Sequence, residues 1–404
     1  MQRVLSSAAL LFLMRCRMII EKISLHYFRN YEELFLQPHE GINIFFGKNG
    51  SGKTNLLEAV HYCSLGKSHR ISQDQNAVMI GKKGASCSLT IKGSSVKNEI
   101  EIRLQPGVET VKTVWINQKK IGRLSEMMGI LRCVIFSPED LNLIKEGPAV
   151  RRKFLDMMIS QISRSYFIAL QQYRIAYNQR NAILRQARLE NRRPDSMIAD
   201  FEKEMAEYGQ AIYRERKKIT DLISEKGNEI YRKISGRETE NLSIAYHPSY
   251  SWDDETESME KLLEKNREDD LRQGTASVGP HRDDLLLSLN HKSMKLYASQ
   301  GQMRTAALSL KLAQMDIFQN ITGEYPVLLL DDVLSELDLD RRMNLLKMIE
   351  GVQTFITCSD EGDLADYHNY RTYQVQSVQE KGKMTMTKAG VEMKTPVLHE
   401  PDFS

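Results

Sequence analysis

From Met18 the chain alternates apolar and polar positions through Ile19-Ile20-Glu21-Lys22-Ile23-Ser24-Leu25, the period-two pattern of a strand. Ile42-Asn43-Ile44-Phe45-Phe46 predicts a second strand, short and buried, that runs straight into glycines. Between Ser86 and Asn117 three further alternations, Ser88 to Lys92, Glu99 to Arg103 and Val111 to Ile116, predict half-buried antiparallel strands joined by Gly and Asn turns. After Gly147-Pro148 the period lengthens to three and four. Leu155, Ile159, Ile162, Tyr166, Leu170, Tyr173 and Tyr177 fall on one helical stripe, and the helix is expected to reach Pro194. A second helix from about Ser196 to Lys233 folds back on it, with the turn at Arg193-Pro194-Asp195. Residues 236 to 275 read as polar and irregular, with an acidic tract at Asp253-Asp254-Glu255. Strand signals return at Leu285 to Leu289, Val327 to Leu330 and Thr354 to Thr357; past Gly390 the tail reads as loose, and there is no internal repeat.

A chain of 404 residues favours two or three domains. With 41% hydrophobic and 27% charged residues it has the composition of a folded globular protein. The net charge is +3, from 56 basic and 53 acidic residues, so affinity for a polyanion has to come from local clustering. The five cysteines, Cys16, Cys63, Cys87, Cys133 and Cys358, are odd in number and contain no CxxC pair. That argues against a disulfide framework and a cysteine zinc site, fits a reducing cytoplasm, and leaves all five as incidental. Arg3 followed by Ala8 to Met14 is superficially like a signal peptide, but Arg15 and Arg17 stand where a cleavage site belongs and the apolar run is too short to span a bilayer. Residues 1–17 are therefore read as a dispensable extension, non-native or disordered, or as the product of an upstream start codon before Met18, and no membrane association is expected.

Gly47-Lys48-Asn49-Gly50-Ser51-Gly52-Lys53-Thr54 matches G-x-x-x-x-G-K-[ST], directly after one predicted strand and before the helical Asn55-Leu56-Leu57-Glu58-Ala59-Val60. In such a loop backbone N–H groups wrap the phosphates of ATP, Lys53 neutralises the outer oxygens and Thr54 binds Mg²⁺. The bland alternative is a glycine-rich turn that binds nothing. The apolar run Val327 to Leu330 ends in Asp331-Asp332, which places Asp331 to hold Mg²⁺ and Asp332 to orient or deprotonate the attacking water. Lys53 and Asp331 lie 331 − 53 = 278 positions apart, so one nucleotide site made from both implies an inserted domain, where the helical hairpin falls.

Between them, Ser299-Gln300-Gly301-Gln302 leads into the helical Thr305 to Lys311. It resembles the signature motif of ABC-type ATPases, with Ser299, Gly301 and Gln302 matching and Gln300 departing at the first glycine. An ordinary capped helix start is the alternative. Ser335-Glu336-Leu337-Asp338 is similar to the D-loop of the same superfamily. Phe28-Arg29-Asn30-Tyr31, Ser137-Pro138-Glu139-Asp140-Leu141, Gly147-Pro148 with Arg151 to Asp156, and Gly279-Pro280-His281-Arg282-Asp283-Asp284 narrow the resemblance to the RecF family of bacterial recombination mediators, over about residues 18 to 375.

The resemblance implies an α/β fold: an ABC-type P-loop ATPase head with an antiparallel β layer and an inserted α-helical lobe. The expected division is 18–150 and 276–390 for the halves of the head, 151–275 for the lobe and 391–404 for a flexible tail. It further implies that Glu139 reaches Mg²⁺ or the attacking water, that Arg29 and Asn30 lie near the nucleotide, and that Asp332 replaces the usual catalytic glutamate. Cys358-Ser359-Asp360 stand where a switch histidine belongs. The implied function is a cytoplasmic ATP-dependent DNA clamp of recombinational repair and replication-fork maintenance, a weak DNA-stimulated ATPase in which ATP binding matters more than turnover. It dimerises on ATP, binds double-stranded DNA near single-strand gaps and junctions, and helps load RecA with RecO and RecR.

From Arg164 to Arg193 there are seven arginines against the single acid Glu190, and on a continuous helix Arg174, Arg185, Arg188 and Arg192 share one side. Such a face suits phosphates; a merely solvated basic face is the alternative. Tyr166, Tyr173 and Tyr177 are expected in the core. His281 with Arg282 has no nucleophile or metal-spaced partner and is read as structural or nucleotide-adjacent, while Lys67, His69 and Arg70 stay open between DNA and nucleotide. An ABC-transporter subunit is disfavoured by Glu139 and the missing histidine. An SMC-type organiser needs a far longer coiled coil than this chain supplies.

Overall fold

A computed structural model of the chain describes residues 16–94, 96–107, 111–194, 196–251, 258–337, 339–359, 370–378 and 388–393. It divides into two compact units, one of residues 1–140 and 314–404, the other of residues 141–313. The chain opens with β1 (Ile19–Phe28), β2 (Tyr31–Leu36), β3 (Ile42–Phe46) and α1 (Lys53–Leu65). It continues through β4 (Ala85–Lys92), β5 (Lys97–Leu104), β6 (Lys112–Ile116), β7 (Lys119–Lys120) and β8 (Cys133–Phe136). All of these except β3 and β8 make an antiparallel sheet and its packing helix: the sheet order is β2-β1-β4-β5-β6-β7. The alternation read from the sequence becomes one buried face of Ile23, Leu25, Leu89, Ile91, Ile100 and Ile102.

The second unit carries α2 (Asn142–Lys145), α3 (Pro148–Ile162), α4 (Arg164–Leu189) and α5 (Ile198–Ser235). After these come β9 (Leu242–His247), α6 (Met259–Lys265), α7 (Arg267–Gln273), β10 (Asp284–Leu289), β11 (Lys292–Ser293) and α8 (Met294–Tyr297). The unit thus reaches beyond 151–275 on both sides and takes in Ser299 to Gln302. The single stripe from Leu155 to Tyr177 is broken at Ser163, whose side chain accepts from the Tyr166 N–H and starts a new helix. α4 ends before Pro194. Asn191 turns left-handed, with φ 49°, and the Arg192 N–H reaches the Ala187 carbonyl at 3.0 Å, a helix-terminating geometry that Asn tolerates. The stretch 236–275 is more ordered than its polarity suggests, because β9 pairs with β10 and the acids of α6 and α7 serve as counter-ions. The acidic tract at 253–255 lies outside the described residues.

Two buried ion networks tie these helices. Arg180 donates to Asp270 (2.8 Å), Glu202 (3.1 Å) and the Leu263 carbonyl (3.1 Å), joining α4, α5, α6 and α7. Arg216 donates to Asp156 (2.8 Å), to Asp283 (3.3 Å) and to the Pro280 carbonyl (2.7 Å), and Asp156 also accepts from Tyr166 (2.5 Å). Tyr166 and Tyr173 are buried as expected, and Tyr177 is partly so.

α9 (Gln300–Thr322) leads the chain back to β12 (Val327–Asp331), α10 (Leu339–Met348), β13 (Thr354–Cys358), β14 (Tyr370–Val378) and β15 (Lys388–Met393). The second sheet of the first unit has the order β15-β14-β3-β13-β12-β8, parallel except for β15. Every residue of β3, β12 and β13 is buried, as interior parallel strands covered on both faces require, and so is every residue of the edge strand β8. α1 packs against strands of both sheets, which explains an apolar character that runs around the helix. Gln353 links the sheets: its amide accepts from the Ile20 N–H (2.7 Å) and donates to the Ile20 (3.0 Å) and His39 (2.9 Å) carbonyls. Cys16 and Arg17 pair with the backbone at Tyr325, and β15 continues past Gly390 to Met393. The described cysteines are free thiols, and no described helix is long and apolar enough to cross a membrane.

Arg180→Ala leaves Glu202 and Asp270 buried without their shared cation, so the expected loss is about 3–5 kcal/mol of unfolding free energy. Urea denaturation measures it, and a loss within error of zero would show that the network does not hold the helices.

Candidate nucleotide site

At the end of β3 the chain turns through Gly47 to Gly52 into α1, with Gly47, Gly50 and Gly52 at φ of 152°, 80° and 117°. A side chain at Gly47 would collide with the Val375 carbonyl, so this position accepts only glycine. The Lys53 ammonium donates to the Gly47 (2.5 Å) and Lys48 (3.1 Å) carbonyls. Burial lowers its pKa, opposed chiefly by Asp332. No side chain caps α1, and the Ser51 hydroxyl is buried without a protein partner. An uncapped helix start beside an ammonium and an orphaned hydroxyl suits a phosphate chain.

Parallel pairing of β12 with β13, and of β13 with β3, brings Asp331 to this loop. One oxygen of its carboxylate accepts from both Thr54 (2.9 Å) and Thr357 (2.7 Å). The Thr357 hydroxyl also accepts from the Asp332 N–H (2.9 Å), and Ser335 donates to the Asp332 carbonyl (2.9 Å). Asp332 is left-handed, with φ 53°, a conformation that Asp bears better than most residues. No group of three or more His, Cys, Asp or Glu side chains able to hold a metal occurs among the described residues. The neighbouring Thr54 hydroxyl and Asp331 carboxylate are nonetheless the hard oxygen donors that Mg²⁺ takes when phosphates and water complete its shell.

The turn between β1 and β2 is stitched to the loop. Asn30 donates to the Ser51 carbonyl (3.2 Å) and accepts from Asn55 (2.8 Å), and the Tyr31 hydroxyl donates to the Gly52 carbonyl (3.1 Å). Arg29 is also there, but its guanidinium grips Glu58 through two hydrogen bonds (2.9 and 3.0 Å). Glu58 is fully buried and also accepts from Ser68 (2.6 Å) and Arg70 (3.4 Å), while Arg70 reaches Asn55 (3.1 Å). Arg70 therefore belongs with the loop helix; His69 packs edge-on against His61, and Lys67 is exposed. Glu139 is exposed on a turn after β8, next to β12 in the sheet.

In the second unit Ser299 and Gln302 cap each other at the start of α9. The Ser299 N–H donates to the Gln302 side chain (2.8 Å), and the Gln302 N–H donates to the Ser299 hydroxyl (3.2 Å). Gln302 is further fixed by Glu240 (2.9 Å), leaving Ser299 exposed and Gly301 partly so. Glu336 is described only in its backbone, and Asp338 lies outside the described residues. Arg174, Arg185 and Arg188 are exposed on α4, with Arg188 donating to the Arg272 carbonyl (3.1 Å). Arg192 lies past the helix end, where it pairs with Glu190, so it does not share their helical face. Arg180, one of the seven arginines of this stretch, is core. Thr357 and Glu58 had no site role in the sequence reading. The first was visible as a hydroxyl ending an apolar strand, the second as a lone charge inside an apolar helix.

Glu58→Gln removes the charge that holds Arg29 and Arg70, and a loss of about 2–3 kcal/mol in stability is expected from hydrogen bonds to charged groups. Urea unfolding tests this; an unchanged midpoint would mean that solvent replaces the pairing.

The family described as RecF/RecN/SMC N terminal domain matches residues 19–383. The DNA replication and repair protein RecF of Clostridium novyi (strain NT) is 39% identical over 351 residues, covering 87% of this chain and 95% of the relative. A solved structure of the recombination mediator protein RecF-ATP in the RecFOR pathway superposes with a TM-score of 0.84 at 32% identity, covering 94% of this chain and 99% of that one. An Smc head domain from Pyrococcus furiosus bound to part of ScpA shares the fold at a TM-score of 0.52 and 18% identity, covering 93% and 96% of the two chains.

Proposed function

Because this chain belongs to the RecF family, we propose that it is an ATP-gated DNA clamp of recombinational repair, acting in the cytoplasm. The observation that carries this reading is the joining of Thr54, Asp331 and Thr357 at one phosphate loop, with the backbone of Asp332 fixed by the same threonine. In this reading the loop N–H groups and Lys53 bind the phosphates of ATP, and Arg29 and Asn30 shape the adjoining wall. Thr54 and Asp331 would hold Mg²⁺, which when bound supplies charge neutralisation at the phosphates. Asp332 orients and deprotonates the attacking water, with Glu139 beside it. Ser299 and the partly exposed Gly301 of one copy close on the ATP of another, with Ser335, Glu336 and Asp338 at the same seam, so that two nucleotides cement a two-fold dimer.

Turnover is slow in this account. Asp332 is one methylene shorter than the usual glutamate, and the residue after Thr357 is a buried cysteine where the superfamily has a histidine. Hydrolysis removes the phosphate that Ser299 and Gly301 grip, and the clamp loosens. The DNA is duplex near single-strand gaps and junctions, met in part by Arg174, Arg185 and Arg188, with Arg192 beyond the helix; DNA stimulates the weak ATPase. RecR with RecO are the partners, and RecA is the protein placed. Gap recognition and these partners rest on the family alone.

The direct test combines duplex DNA binding with solution mass in the presence of ATP, of ADP, or without nucleotide. Dimerisation and tight binding only with ATP, both lost in Lys53→Ala and Ser299→Arg, are expected; nucleotide-independent binding contradicts the proposal. Asp332→Asn is expected to keep ATP-dependent dimerisation while lowering turnover by about 100-fold or more. Unchanged turnover would remove Asp332 from the chemistry.

A further inference from the structure

Two motif stretches have no part in the clamp chemistry: the one from Gly147 to Arg152, and the one from Gly279 to Arg282. The fold brings them together in the second unit around a cavity of about 460 Å³, lined by Gly147, Ala149, Arg152, Tyr177, His281 and Arg282 among others. This volume lies in the range of small-ligand pockets.

Its aromatic side is locked. The Tyr177 and His281 rings lie 4.3 Å apart, His281 Nε2 donates to the Ala276 carbonyl (3.1 Å), and Nδ1 accepts from Tyr173 (2.7 Å). The Tyr177 hydroxyl is engaged with Thr275 (3.0 Å). Gly279, at φ 127°, sets up this turn, and any side chain there would collide with the Tyr173 hydroxyl.

Its charged side is different. Among the described residues the Arg152 guanidinium donates only to the Asp283 carbonyl (2.7 Å), and the Arg282 guanidinium makes long contacts only to the Ala276 carbonyl (3.3 and 3.4 Å). The nearby carboxylates are already committed. Asp156 and Asp283 pair with Arg216, and Asp284 is held by Arg151 through two hydrogen bonds (2.7 and 2.9 Å). Two guanidinium groups thus border one cavity, and among the described residues no carboxylate hydrogen-bonds to either, although Asp156, Asp283 and Asp284 lie near enough to Arg152 to favour its charge. α3 begins at the same place with no side-chain cap on its N-terminus, so the helix dipole adds to the positive potential. Burial, then the neighbouring Arg282 and Arg152, lower the His281 pKa to about 4, against the hydrogen bond to Ala276, so the imidazole is neutral at neutral pH.

We propose that this pocket is a second anion site, separate from the phosphate loop, and that it takes a phosphate group. Paired guanidinium forks at a helix start match phosphate oxygens in charge and geometry. The phosphate comes either from a DNA backbone or from a free small molecule. Arg174 is exposed on α4 one turn before Tyr177, which lines the pocket. The DNA source rests on the clamp reading; the site itself does not.

The experiment has two arms. In full-length Lys53→Ala protein, which removes phosphate binding at the loop, inorganic phosphate is titrated by calorimetry with and without Arg282→Glu or the size-preserving Arg282→Gln. Melting temperature serves as the check on folding. A loss of phosphate affinity of at least about tenfold is expected. In the otherwise unaltered protein with ATP, binding to a blunt DNA duplex is measured across salt concentrations, and the same variants are expected to lower the salt slope by about one phosphate contact. A fall in the slope assigns the site to the DNA backbone. Lost phosphate affinity with an unchanged slope, or without DNA binding by the unaltered chain, assigns it to a free phosphate compound and in the latter case counts against the clamp alone. Folded variants with unchanged phosphate affinity and unchanged slope, or absence of both phosphate and DNA binding before substitution, would overturn the site.

Discussion

Two threonine hydroxyls donate to a single carboxylate oxygen of Asp331: one from the helix that follows the phosphate loop, the other from the end of β13. The first of these contacts spans 277 positions of sequence, and the parallel order β3-β13-β12 is what makes it possible. A parallel sheet gathers the C-terminal ends of its strands along one edge whatever the length of the connections between them. The site therefore tolerates a whole second unit inserted between β8 and β12. In turn, burial of these strands on both faces demands the antiparallel sheet and the enclosed α1, because without that cover the apolar strands would face water.

The second unit follows another logic. Its helices have apolar stripes, but they also meet through buried arginines within them, Arg180 and Arg216, each surrounded by carboxylates and carbonyls from several elements. Such groups contribute less net stability than an apolar core of the same volume, yet are costly to leave half-paired, so they fix which helix faces meet. They also consume the local acids. Among the described residues Arg152 and Arg282 hydrogen-bond only to carbonyls, with Asp156, Asp283 and Asp284 near Arg152 but bonded elsewhere, and that difference separates a structural guanidinium from one available to a ligand.

The phosphate loop and the Asp331 strand were legible because they depend on local patterns, glycines at fixed spacing and an apolar run ending in acids, whereas the head architecture came from the family resemblance. What was not legible depends on neighbours distant in sequence. The helix break at Ser163 and the stop at Asn191 are single polar residues whose capping role shows only once the backbone is seen. β9 was hidden in a polar stretch because β10, its partner, lies some forty residues on. Glu58 is a lone charge in an apolar helix, and only the turn carrying Arg29 shows that it is a buried counter-ion. Arg180 and Arg185 are equivalent in composition, yet one is core and the other exposed, a distinction set by Glu202 and Asp270 on other elements.

We propose that a complete ATP site is shared between two copies of the chain, the phosphate loop on one and Ser299 on the other. A mixture of Lys53→Ala and Ser299→Arg proteins tests it, because each variant alone lacks every complete site while a mixed pair contains one. The measurement is solution mass together with bound nucleotide, for each variant and for the equimolar mixture with ATP. Monomers are expected for each alone, and in the mixture dimers carrying one tightly held ATP per two chains. A mixture that stays monomeric, or variants that dimerise alone, would contradict it.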